Sequence, residues 1–165
     1  KPQSRRASRF PARVRAGDSL AYKVVDTSDW TAAQLDPYWP EIFAAMMKLK
    51  AKLPDDVSIS ILLVTWGNQR RKLWLILDDE DRFKAFGMTE VEINLATGKP
   101  LVTLKDLAGD GIIAARDEIC AAFEAYADRE GIRDRRIYGL PAWSRVTGPL
   151  GYEPHSMTLR KVVEI

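Results

Sequence analysis

Apolar and polar positions along this chain switch between a period of two and a helical period, and each switch marks an element. Ser19-Leu20-Ala21-Tyr22-Lys23-Val24-Val25 alternates and is rich in β-formers, which predicts a first strand. Thr27 or Ser28 can cap a short helix through Leu35, stopped by Asp36-Pro37. After Pro40, the segment Glu41 to Leu53 puts Ile42, Phe43, Met46, Met47 and Leu49 on one broad apolar face, the signature of a second helix with methionine as core filler. Val57 to Trp66 reads two ways. Its β-branched content suggests a strand, whereas Asp55 or Asp56 as a cap and Gly67 as a stop favour a helix. Lys72 to Leu77 is a strand of buried character closed by Asp78-Asp79-Glu80-Asp81. Phe86 to Leu95, with Met88, Glu90 and Glu92 out of phase with Val91 and Ile93, is the next, and Thr97-Gly98-Lys99-Pro100 turns it into Leu101 to Lys105. Three strands with short connections predict an antiparallel meander.

The last third, from Gly111 to Val163, carries the pattern long helix, strand, short helix, closing strand. The helix spans about Ala114 to Glu130 and should bury Ile119, Ala122, Phe123 and Tyr126, which recur at three and four residues. Gly131 ends it, and Arg135 to Gly139 forms a strand that joins the meander in parallel. Pro141-Ala142-Trp143-Ser144-Arg145-Val146 makes the short helix, Leu150-Gly151-Tyr152-Glu153-Pro154 a turn, and Met157-Thr158-Leu159-Arg160-Lys161 the closing strand. This order resembles the C-terminal half of the GNAT family of N-acetyltransferases, and the resemblance covers about residues 19–163. It implies an α+β fold of three layers, a mixed and mostly antiparallel sheet flanked by helices. The Trp143-Ser144-Arg145 segment, with Leu150-Gly151-Tyr152 and Leu159-Arg160-Lys161, is also similar to GNAT-like proteins of tailed bacteriophages.

Composition adds an arm to that domain. At 165 residues, 46% hydrophobic and 29% charged, the chain suits one globular domain over residues 18–165, preceded by a basic arm over residues 1–17. Residues 1–16 hold Lys1, Arg5, Arg6, Arg9, Arg13 and Arg15 and no acid, leaving 19 basic against 23 acidic residues, about −4, for the rest. Such an arm has no periodicity to fold by itself. Arg5, Arg6, Arg9, Arg13 and Arg15 are therefore candidate contacts to other protein chains of an assembly, or to nucleic acid; a solvated tail is the plain alternative. No apolar run reaches membrane length and no secretory leader is evident, so the expected location is cytoplasmic or virion-associated, not secreted. A single cysteine, Cys120, and a single histidine, His155, give no metal-binding spacing.

The resemblance also implies where coenzyme A and the catalytic groups would lie. The family holds the coenzyme A pyrophosphate with a Gln/Arg-x-x-Gly-x-Gly/Ala loop at the start of the long helix. One placement, Asp106 to Gly111, supplies Gly109 and Gly111 but has aspartate for the leading residue; the other, Gly111 to Arg116, has Ala114 for the first glycine and offers Arg116. Asp110, Asp117 and Glu118 cluster there and read as capping acids. Thr147 stands where the family's acidic tyrosine is expected. Tyr138 and Tyr152 are the nearby phenols, Glu90, Glu92 and Asp106 the candidate bases, and His155 a surface residue. The degraded loop implies a GNAT-fold protein without standard acetyltransferase activity, needing no cofactor and acting as an assembly component of a phage particle. The alternative is an acetyl-CoA-dependent N-acetyltransferase acting on an amine.

Overall fold

The computed structural model describes residues 21–139 and 143–156. Within them a single sheet of five strands runs in sequence order: β1 (Lys23–Asp26), β2 (Arg71–Leu77), β3 (Phe83–Asn94), β4 (Lys99–Gly109) and β5 (Asp134–Ile137). The first four pair antiparallel and β5 joins β4 in parallel; short turns between β2, β3 and β4 and the helical crossover before β5 account for the last three pairings. The helices are α1 (Ala32–Leu35), α2 (Trp39–Lys52), α3 (Ile59–Gly67), α4 (Arg116–Arg129) and α5 (Trp143–Thr147). The sheet is thus a mixed, mostly antiparallel layer between helices.

Alternation along the strands sends side chains to two cores. On one face Leu73, Leu75, Leu77, Phe86 and Met88 pack against Leu35 of α1, Ile42 and Met46 of α2 and Leu62 of α3. On the other, Trp74, Ile76, Ala85, Val102 and Leu104 pack against Ile119, Phe123, Tyr126 and Ala127 of α4. The helical phase expected for α4 is the one observed, with Ala122 at its margin, part-buried, while Cys120 and Ala127 are buried. On α2 the apolar face is narrower than its sequence suggests. Phe43 and Met47 lie outside the contact and are 42% and 49% exposed.

Several element boundaries differ from the sequence reading for local reasons. Thr31, not Thr27 or Ser28, caps α1, in a capping box with Gln34. Thr27 is buried and spends its hydroxyl on the Leu73 carbonyl at 2.8 Å, fastening the end of β1 to β2. Asp36-Pro37 does not stop the chain; a 3₁₀ turn over Asp36–Tyr38 leads directly into α2. The ambiguous apolar segment is helix α3, opened by Ser58, whose Oγ accepts from the Ile61 amide at 3.4 Å. The closing segment Met157–Lys161, the arm, and Pro141-Ala142 lie outside the described residues.

The largest departure is in β4, which continues through Asp106 to Gly109 as strand where a loop was expected. Met88 faces Asp106 and Thr89 faces Leu104, so Lys105 is an extra residue, a β-bulge. Gly109 pairs with Ala85 at φ +139°, and a Cβ there would overlap the Lys84 carbonyl oxygen and the Ala85 backbone. Its glycine is needed for close passage of two strands. Replacing Gly109 with alanine should therefore lower unfolding free energy by about 2 kcal/mol or more in urea denaturation. A variant within about 0.5 kcal/mol of the parent would contradict that packing argument.

Candidate active site at the fork between the fourth and fifth strands

Parallel pairing of β4 with β5 runs from Leu101 opposite Asp134 to Leu104 opposite Ile137, and the Tyr138 amide adds one bond to the Leu104 carbonyl at 2.9 Å. There the strands part. The chain leaves the sheet toward α5, while β4 runs on from Lys105 to Gly109 with no β5 residue in register beside it. The bulge sits at this fork. Leu104 and Leu107 both face α4, in contact range of Trp74 and Phe123, whereas Lys105 and Asp106 both reach the opposite face.

On that face the strands assemble a cluster of three acids and three bases. Glu90 of β3, whose side chain is 1% exposed, accepts from Arg70 Nε at 2.5 Å, Arg71 Nε at 3.1 Å and Lys105 Nζ at 2.8 Å. Lys105 Nζ also reaches Glu92 at 3.0 Å, and Arg71 Nη1 reaches Asp106 Oδ2 at 2.8 Å. Burial pushes the Glu90 carboxyl upward, but hydrogen bonds from Lys105, Arg70 and Arg71 outweigh it and hold Glu90 below the ordinary carboxylate range. Burial alone would lower Lys105; Glu90 and Glu92 more than reverse that and raise it. Asp106 goes the other way: burial raises it despite the opposing pull of Arg71 and Lys105. A carboxylate tied to three cations is a poor proton acceptor, so of the three candidate bases Asp106 has the environment suited to the task.

The other expected residues fall around the fork without joining this cluster. Tyr138 is 53% exposed where β5 leaves β4. Glu92 shares Lys105 with Glu90 and accepts from the Thr103 hydroxyl at 3.4 Å. Thr147 is buried, its hydroxyl committed to the Trp143 carbonyl at 2.9 Å. Tyr152 packs toward Glu124 and Cys120 of α4, where burial drives its phenol strongly upward. His155 is exposed and borders, with Arg135, Tyr138 and Trp143, a groove of about 350 Å³ along β5 that includes no member of the Glu90 cluster.

The helix start reads differently from the sequence expectation. Gly111, at φ +75°, opens a turn under Tyr22, in which the Ala115 amide bonds the Gly111 carbonyl at 2.9 Å. Ala114 lies in that turn, and Ala115 caps α4 without any side-chain hydrogen bond, so Asp110, Asp117 and Glu118 do not cap the helix. Asp117 instead pairs with Arg116 at 2.7 Å, and the same guanidinium donates to the Val146 carbonyl of α5 at 3.3 Å. Among the described residues no group of histidine, cysteine or acids has metal-holding geometry, and no helix is long and apolar enough to cross a membrane.

Arg70, Arg71 and Lys105 were absent from the sequence-based site. The available signals were the Arg70-Arg71 pair ahead of an apolar strand, and Lys105-Asp106, two adjacent polar residues that break alternation.

The cluster makes stability depend on pH in a defined direction. A carboxyl held below its unfolded value of about 4.3 contributes stability that is present above that pH and lost as pH falls through the folded value. Glu90→Gln should cost about 2 kcal/mol at pH 7, because it leaves the part-buried Arg71 and Lys105 without their shared carboxylate. The difference from the parent should shrink between pH 5 and pH 3, measured by urea denaturation at each pH; a constant difference would contradict the pairing.

No family model matches the chain, and no curated protein matches it in sequence. Solved structures do. A probable acetyltransferase aligns over 87% of this chain and 97% of its own with a TM-score of 0.61 and 15% identity. An aminoglycoside acetyltransferase from an uncultured soil metagenomic sample, in complex with sisomicin, aligns over the same shares at a TM-score of 0.57 and 15% identity. The aminoglycoside 6'-N-acetyltransferase of Acinetobacter baumannii aligns over 88% of this chain and 99% of its own, at 0.56 and 9%. At such identities the likeness is one of fold, and the fold of this chain is that of the GNAT acetyltransferases.

Proposed function

We propose that the protein is an acyl-CoA-dependent N-acetyltransferase that moves an acetyl group from its coenzyme A thioester to an amine. The observation carrying this reading is the β4 bulge, which sets Asp106, a part-buried carboxylate of raised pKa, beside the strand edge that β5 leaves open. Solved acetyltransferases of the same fold support it, and the aminoglycoside enzymes among them suggest a polyamine-like acceptor to try first.

The residues present suit acetyl-CoA in two respects. The amide-bearing pantetheine arm matches a strand edge, Lys105 to Gly109, that has no partner strand among the described residues and can exchange main-chain hydrogen bonds with it. The first turn of α4 lacks a side-chain cap, so its amides, with Arg116 at the start of the helix, would be the groups to hold the pyrophosphate. The acids Asp117 and Glu118 oppose this end, so the strand edge supplies the better half of the fit. Bound there, acetyl-CoA supplies the activated acyl carbon. Asp106 would take the proton that the amine nitrogen gives up in attacking that carbon, and Tyr138, exposed at the fork, is the hydroxyl we assign to protonating the thiolate that leaves.

A role in binding another chain through Arg5, Arg6, Arg9, Arg13 and Arg15 stays an expectation of the sequence, since these residues lie outside the described part. None of the structures compared above is described as a virion protein.

The test is thiol release from acetyl-CoA in the presence of sisomicin, spermidine or a peptide with a free α-amine. Asp106→Asn should lower kcat about 100-fold, and the parent's rate should rise with pH as Asp106 ionises. Acetyl-CoA at a hundred times its dissociation constant should add about 2.7 kcal/mol to stability. Absence of both turnover and stabilisation would dismiss the enzyme reading in favour of a structural one.

A further inference from the structure

Asp106 is bonded to one cation, and that cation is itself anchored. Arg71, in β2, lies opposite Glu90 in the β2–β3 register and its side chain is 14% exposed. Its Nε donates to Glu90 Oε2 at 3.1 Å and its Nη1 to Asp106 Oδ2 at 2.8 Å, so one planar guanidinium joins two carboxylates through different nitrogens. Glu90 is in turn fixed by Arg70 and Lys105. Lys105, though next to Asp106 in sequence, is turned to Glu90 and Glu92.

Resting on the acetyl-transfer reading, we infer that Arg71 is the positioning residue of the site: by bridging Glu90 and Asp106 it fixes where the Asp106 carboxylate sits and keeps it charged at the fork. The charges that face Asp106 are Arg71 from β2, Glu90 from β3 and Lys105 from its own strand. The helices over this face contribute the apolar Ile42, Ala45, Met46 and Leu62, and the nearby Arg136 of β5 is engaged by Asp134 at 2.7 Å. Burial works against the charged form of Asp106 and Arg71 works for it, so the amine-deprotonating group becomes available at a pH that Arg71 sets. A residue that only filled space would leave that pH unchanged.

The experiment uses the full chain and three variants, Arg71→Gln, Arg71→Lys and Asp106→Asn. Carbon-13 NMR titration of the side-chain carboxyls, with Asp106 assigned through Asp106→Asn, needs no substrate. Arg71→Gln removes the cation and should move the Asp106 midpoint up by about one pH unit, whereas Arg71→Lys keeps the cation and should hold it within a few tenths. In the acetyl-CoA assay Arg71→Lys should lower kcat about tenfold with KM for acetyl-CoA unchanged, because an ammonium cannot hold both carboxylates in one plane. Should Arg71→Gln fail to fold, the kcat and KM of Arg71→Lys decide the matter. An Asp106 midpoint indifferent to Arg71→Gln, or an Arg71→Lys variant with parental kcat, would overturn the assignment. A parent that titrates as expected and transfers no acetyl group would overturn the enzyme reading alone.

Discussion

The β-bulge at Lys105 is the constraint from which the site follows. In an unbroken strand Lys105 and Asp106 would project to opposite faces, one of them into the apolar layer under α4. One residue more than the partner strand requires sends both to the α1–α3 side and returns Leu104 and Leu107 to the α4 side. The same irregularity lies where β5 departs. A strand that changes its twist at one residue cannot keep a straight parallel neighbour, so the bulge and the fork are two views of one distortion.

The charge cluster beneath the bulge would be costly without its pairing. Glu90 is nearly inaccessible, and an isolated carboxylate in that place would lose several kcal/mol of hydration. Three donors, from Arg70, Arg71 and Lys105, offset that loss, and the directions of the Glu90 and Lys105 shifts show pairing winning over burial. At Asp106 burial wins instead, with one bonded cation against it. The asymmetry separates a carboxylate that holds the sheet together from one able to exchange a proton.

The glycines of the helix entrance separate strand packing from ligand binding in a similar way. Gly109 and Gly111 fit the spacing of an anion-binding loop, yet Gly109 belongs to β4 and is required by its contact with β3. Arg116, the one cation of that turn, spans from Asp117 to the backbone of α5 and so joins the two helices that flank the fork.

Periodicity together with connection length determined the meander and the parallel fifth strand, and periodicity alone the phase of α4, because burial against a sheet selects one helical face whatever the neighbouring sequence does. Capping chemistry decided α3, whose run from Ile59 to Trp66 is apolar enough to suit either state, and Ser58 was a local signal for it. Which carboxylate faces the fork was beyond the sequence. Glu90, Glu92 and Asp106 are equivalent as letters; they differ through register, since pairing Thr89 with Leu104 and Met88 with Asp106 leaves Lys105 over, and Arg71 of β2, with Arg70 just before it, reaches two of them. Register is a property of two strands at once, and a pKa depends on what the fold brings within a few ångströms, so both emerge only when the chain has closed on itself.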